Sequence, residues 1–116
     1  MGSVIKRNGL LVNFPVQVNR ADTFLSRFFG LMFQKSLPSD KGVLLLPCNS
    51  IHTCFMRFPI DVVFVDKGFR VIKTIRELLP WSIIFPIREA YATLELATGT
   101  INKFELDLGD QIQFDC

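Results

Sequence analysis

The chain is poor in charge, in cysteine and in histidine. Only 21% of its 116 residues are charged, and it holds three cysteines, one histidine, one tryptophan and one tyrosine. Cys48, Cys54 and Cys116 are an odd number and too few for a disulfide scaffold, so free thiols in a reducing compartment are expected. Long apolar runs are missing too. The longest stretch without charge, residues 42 to 56, is interrupted by Pro47, Asn49, Ser50 and His52 and falls short of the ~20 residues of a membrane-spanning helix. Lys6, Arg7 and Asn8 arrive before any apolar run, so the three-part pattern of a secretory signal is absent and a cytoplasmic location is expected. There is no internal repeat and no linker composition.

The little charge present is spread unevenly. Residues 1 to 58 carry seven Lys and Arg against Asp22 and Asp40, whereas residues 59 to 116 carry six against nine acids. The basic residues stand singly among apolar ones and form no basic face, which weighs against nucleic-acid binding. What the chain has in quantity is apolar side chain, 49% of its residues, with twelve phenylalanines. That excludes disorder and fits one domain, residues 1–116, around one core.

Hydrophobic periodicity places the elements. Asn8-Gly9 tolerates the two positive φ angles of a type I′ turn and predicts a hairpin between residues 4–7 and 10–13. Pro15 removes a backbone donor and demotes residues 14–18 to an edge strand or bulged continuation. Phe24, Leu25, Phe28 and Met32 recur at helical spacing, after Asp22 as a cap and up to Gly30. Residues 43–46 and 61–66 read as buried strands, and Lys67-Gly68 turns the second into a strand over 69–75. Residues 91–96 and 112–114 alternate as half-buried strands, with Thr100 capping a short helix over Ile101 and Phe104 between them. The fold class is α+β, mainly β: a small, partly closed antiparallel β-barrel-like domain with two short helices.

Several segments then match a known pattern: Gly30-Leu31-Met32-Phe33 followed by Lys35-Ser36-Leu37-Pro38, Ser50-Ile51-His52-Thr53, and Met56-Arg57-Phe58-Pro59-Ile60-Asp61-Val62-Val63-Phe64 with Asp66. With Pro80-Trp81, Leu94-Glu95-Leu96, Gly99-Thr100 and Gly109-Asp110 the chain resembles the DUF192 (UPF0127) family over about residues 20–115. The resemblance implies a compact, mainly β single domain and carries no established activity, substrate or cofactor. Phe29 and Gln34 stand where basic residues are common in that family.

Two constellations are candidates for function. Cys48, His52, Cys54 and Asp61 form the one Cys/His/Asp grouping and suggest a thiol- or metal-assisted hydrolase, with Asp61 orienting His52. If residues 50–56 are extended, however, Cys48 and Cys54 lie ~20 Å apart, too far for one zinc ion, so no metal site is assigned. The same region read as a binding cleft uses Ser50, His52, Thr53, Arg57 and Asp61 under a lid carrying Trp81, and would take a small polar ligand or peptide. No cofactor is expected.

The second constellation is residues 79–87, from Leu79 to Ile87, an uncharged segment whose two prolines, Pro80 and Pro86, prevent it from being an interior strand or a helix throughout. It is either a cover over the end of the domain or an exposed apolar patch that grips a protein partner or a membrane surface. A non-catalytic binding or accessory module is the leading expectation, with the hydrolase and the protein-docking factor as alternatives.

Overall fold

A computed structural model of the chain describes residues 3–23, 31 and 34–114. The helix expected over Phe24, Leu25, Phe28 and Met32 lies outside the described residues, as does Cys116. Ten strands run in order: β1 (Ser3–Arg7), β2 (Leu10–Phe14), β3 (Gln17–Ala21), β4 (Lys41–Leu45), β5 (Ile51–His52), β6 (Ile60–Val65), β7 (Val71–Leu78), β8 (Ile83–Ile84), β9 (Ala92–Ala97) and β10 (Gln111–Phe114). One short helix, α1 (Thr100–Lys103), is found among the described residues.

The strands form three sheets. Five of them, in the order β3-β4-β9-β6-β7, make a central sheet that is antiparallel except for the parallel β3–β4 pair. A three-stranded antiparallel sheet, β10-β1-β2, packs on one face. The Asn8-Gly9 turn joins β1 to β2 with both residues at positive φ, as the hairpin signal required. Ile5, Phe14 and Ile112 from this sheet meet Leu44, Val63, Val65, Leu94 and Leu96 from the central one. The third sheet is the two-stranded ribbon β5–β8, with Ile51 and Ile84 in a second apolar cluster that includes Met56, Ile60, Val62 and Phe64.

The fold is thus mainly β, but its sheets are not closed into a barrel, and apolar clusters lie on both faces of the central sheet in place of one core. The difference comes from β6 and β9. Every residue of both strands is buried, because each is covered on two faces and paired on two edges. Residues 91–96, expected to be half-buried from their alternation, therefore carry Thr93 and Glu95 into the interior. Gly42 permits close approach beside them: a Cβ there would meet Leu96 Cδ2 at 2.9 Å and the Glu95 carbonyl at 3.1 Å.

Two polar anchors join the layers. Asp61, 1% exposed, accepts the backbone N–H of Glu77 at 3.0 Å and of Ile101 at 3.0 Å. The N-cap of α1 is Gly99, at φ +89°, and offers no side chain, so Asp61 supplies the capping carboxylate from the strand beneath. Thr100, expected as the cap, is instead the first helical residue. Arg7 forms the second anchor, a two-pronged pair with Asp110 at 3.0 and 2.7 Å that also reaches the carbonyls of Phe104 and Glu105. Burial pushes the Asp110 carboxyl up, but the Arg7 guanidinium and the Asp107 amide outweigh it and hold the carboxyl below its ordinary range. Among the described residues, no helix is long and apolar enough to cross a membrane.

Candidate functional site

The polar run from Ser50 to Asp61 does not form the extended face its alternation predicts. Strand β5 stops after His52, and Cys54 and Phe55 make a turn in which Phe55 takes φ +65°. The Cys54 amide donates to His52 Nδ1 at 3.3 Å, and the Cys48 thiol donates to the Ser50 carbonyl at 2.9 Å. Asp61 faces away from this turn: its register partner is Leu96, on the side of the three-stranded sheet, and its oxygens are committed to Glu77 and Ile101. It does not orient His52. Both Cys48 and Cys54 are free and partly buried. Among the described residues, no three His, Cys, Asp or Glu side chains gather as a metal site. The catalytic grouping of Cys48, His52, Cys54 and Asp61 is therefore not assembled around one centre.

Of the proposed cleft residues, Arg57 is exposed and Ser50 and His52 are half-buried, whereas Thr53 and Asp61 are sealed. Thr53 has a different task. Its backbone N–H donates to the Ser82 carbonyl at 2.8 Å, and its carbonyl accepts the Trp81 N–H at 2.9 Å. Its hydroxyl donates to the Leu79 carbonyl at 2.7 Å and accepts the Ser82 N–H at 2.7 Å. The Ser82 hydroxyl closes the knot on the Leu79 carbonyl at 2.7 Å. A fully buried threonine is thus satisfied by one short loop, which it staples to the β5 turn.

The staple sets two aromatic rings side by side. Trp81, like Phe55, takes a positive φ, +64°, a conformation that costs a bulky residue on the order of 1 kcal/mol or more. With both loops held this way the two rings stack at 4.7 Å between centroids, tilted by 57°. The stack is not in the interior. Trp81 is 63% exposed, and along residues 79–85 exposure alternates so that Leu79 (64%), Trp81, Ile83 (60%) and Phe85 (77%) point outward while Pro80, Ser82 and Ile84 turn in. Ile84 and Ile87 pack on the second apolar cluster, so the segment covers that cluster with one side and presents apolar side chains to solvent with the other. Leu79 and Trp81 flank and occupy the Pro80-Trp81 turn and Ile83 and Phe85 follow it on and after β8, so a turn and a short strand together set four apolar side chains on the solvent side.

Sequence reasoning located this segment but missed Glu95, whose burial follows from the two-sided cover of β9. Its neighbours across the ladder are Val43 and Val62. With no cation beside it among the described residues, burial pushes its carboxyl up to about 7.

Comparison with known proteins fits this architecture. The DUF192 family model, described as an uncharacterised ACR, matches residues 4–114. A UPF0127 protein of Pyrococcus horikoshii is 37% identical over 103 residues, covering 84% of this chain and 87% of that one. A UPF0127 protein of Pyrococcus furiosus is 33% identical over 105 residues, covering 86% and 88%. A crystal structure of a protein of unknown function from Novosphingobium aromaticivorans superposes with a TM-score of 0.83 at 20% identity, over 97% of this chain and 83% of that one, and so shares the fold.

Proposed function

The chain belongs to the DUF192 family, and from that premise and the outward row of residues 79–85 we propose that it is a non-catalytic accessory module that works by docking on a protein partner. The observation that carries this reading is the exposed row of Leu79, Trp81, Ile83 and Phe85, held in shape by the buried Thr53 staple. Four large apolar side chains in one row, two of them aromatic, have the composition of the centre of an interface. The strain at Trp81 and the stack on Phe55 mean that little conformational freedom is left to lose on contact. The polar run from Ser50 to Asp61 serves this surface as scaffold in place of holding a ligand.

Native electrophoresis of the tagged chain from its own cells tests the reading. Wild type migrates as one discrete complex heavier than 13.2 kDa, while Ile83→Asp and Phe85→Asp, both at exposed positions, migrate as the folded monomer. Unchanged migration of both variants contradicts it.

A further inference from the structure

We infer that the partner which covers this surface is a second copy of the chain, packed row against row about a twofold axis. The inference rests on the docking reading above and concerns the same surface. Area is the first argument. At about 150–250 Å² for an aromatic side chain and somewhat less for an aliphatic one, the four exposed side chains present on the order of 500 Å² of apolar surface. A stable dimer buries roughly 800 Å² per partner, and a homodimer interface is about 65% apolar, which asks for the same amount, on the order of 500 Å². The row therefore supplies the apolar part of one dimer half without help from elsewhere on the surface.

Charge is the second argument. Residues 78 to 87 contain no charged side chain. A partner selected by charge, such as an acidic or basic peptide, finds no complement at the centre of this surface, whereas two identical copies meet there without like-charge repulsion. Symmetry is the third. About a twofold axis the same patch serves both copies, so each contact that Leu79, Trp81, Ile83 or Phe85 makes in one copy is repeated by the other.

The test uses the purified full chain and its single tryptophan, Trp81. Sedimentation equilibrium from about 1 to 100 µM, spanning ordinary dimer affinities, should give twice the 13.2 kDa chain mass at the upper end. Trp81 emission should shift to the blue over the same range. Ile83→Asp should weaken association about 100-fold or more, since a carboxylate is carried into an apolar contact, with an unchanged melting profile. A single 13.2 kDa species with constant, solvent-exposed Trp81 emission overturns the inference. So does a dimer that Ile83→Asp and Phe85→Asp leave intact, and so does a monomer that binds neutral phosphatidylcholine vesicles through Trp81. If the purified chain is monomeric but the cellular complex is lost in Ile83→Asp, the second copy is wrong and docking stands. If the cellular complex is also unaffected, both fail.

Discussion

Thr53 accepts the Trp81 backbone N–H on its carbonyl at 2.9 Å, and through this contact a sealed threonine fixes the position of an exposed tryptophan. The two residues are 28 positions apart in the chain. Around them a polar motif that looks reactive in the sequence becomes the frame of an apolar surface.

Replacing Thr53 by valine keeps the shape and removes the hydroxyl that serves Leu79 and Ser82. The part-buried Ser82 amide loses its partner and the Leu79 carbonyl keeps only the Ser82 hydroxyl, so a stability loss of about 1–2 kcal/mol is expected in denaturant melts. Trp81 should at the same time become more mobile, read as a fall in fluorescence anisotropy, and Thr53→Ser should restore both properties.

Asp61→Ala leaves the amides of Glu77 and Ile101 unpaired beneath α1. A loss of about 2–4 kcal/mol is expected, with hydrogen exchange accelerated first at residues 100–103. If Asp61 instead serves His52, exchange should change around residues 50–54 and leave α1 protected.

Glu95 makes the fold lose stability between mildly acidic and neutral pH. The unfolded chain ionises this carboxyl near 4.5 and the folded chain near 7, so between those values the folded state holds the extra proton. Stability should fall as pH rises from about 4.5 to about 7 and then level off, by about 3 kcal/mol in all. Glu95→Gln should abolish that slope and melt higher than wild type at pH 8. A wild type with no such slope contradicts the assignment.

Arg7 and Asp110 act at the other end of the scale. The Asp110 carboxyl is held below its ordinary range, so its contribution is present above the unfolded carboxylate range and is lost as pH falls through the depressed folded value. Asp110→Asn should cost about 2 kcal/mol at neutral pH and reduce the loss of stability on acidification.

Much of this fold is legible in the sequence, and the unread part has a common cause. Asn8-Gly9, Pro15, Lys67-Gly68 and the apolar runs of β4 and β6 act locally, and each sets its turn or strand where it stands. Burial of Glu95 is not local: it depends on what covers the second face of β9, which alternation within residues 91–96 does not encode. The pairings of Asp61 with Ile101 and of Thr53 with Leu79 and Ser82 span 40, 26 and 29 positions, so proximity in sequence pointed Asp61 to His52 instead. The segment carrying Trp81 was identifiable because two prolines and an excess of apolar residues agree with no interior element. Its outward alternation was not, since period two alone does not say which side faces solvent.

Site-specific photo-cross-linking in the cell addresses the central claim most directly. A photoreactive phenylalanine analogue placed at Ile83, and separately at Lys103 as an exposed control on α1, is activated in living cells expressing the full chain. The docking account predicts one discrete adduct from position 83, abolished by Phe85→Asp in the same chain, and none from position 103. Equal or absent cross-linking at the two positions contradicts it.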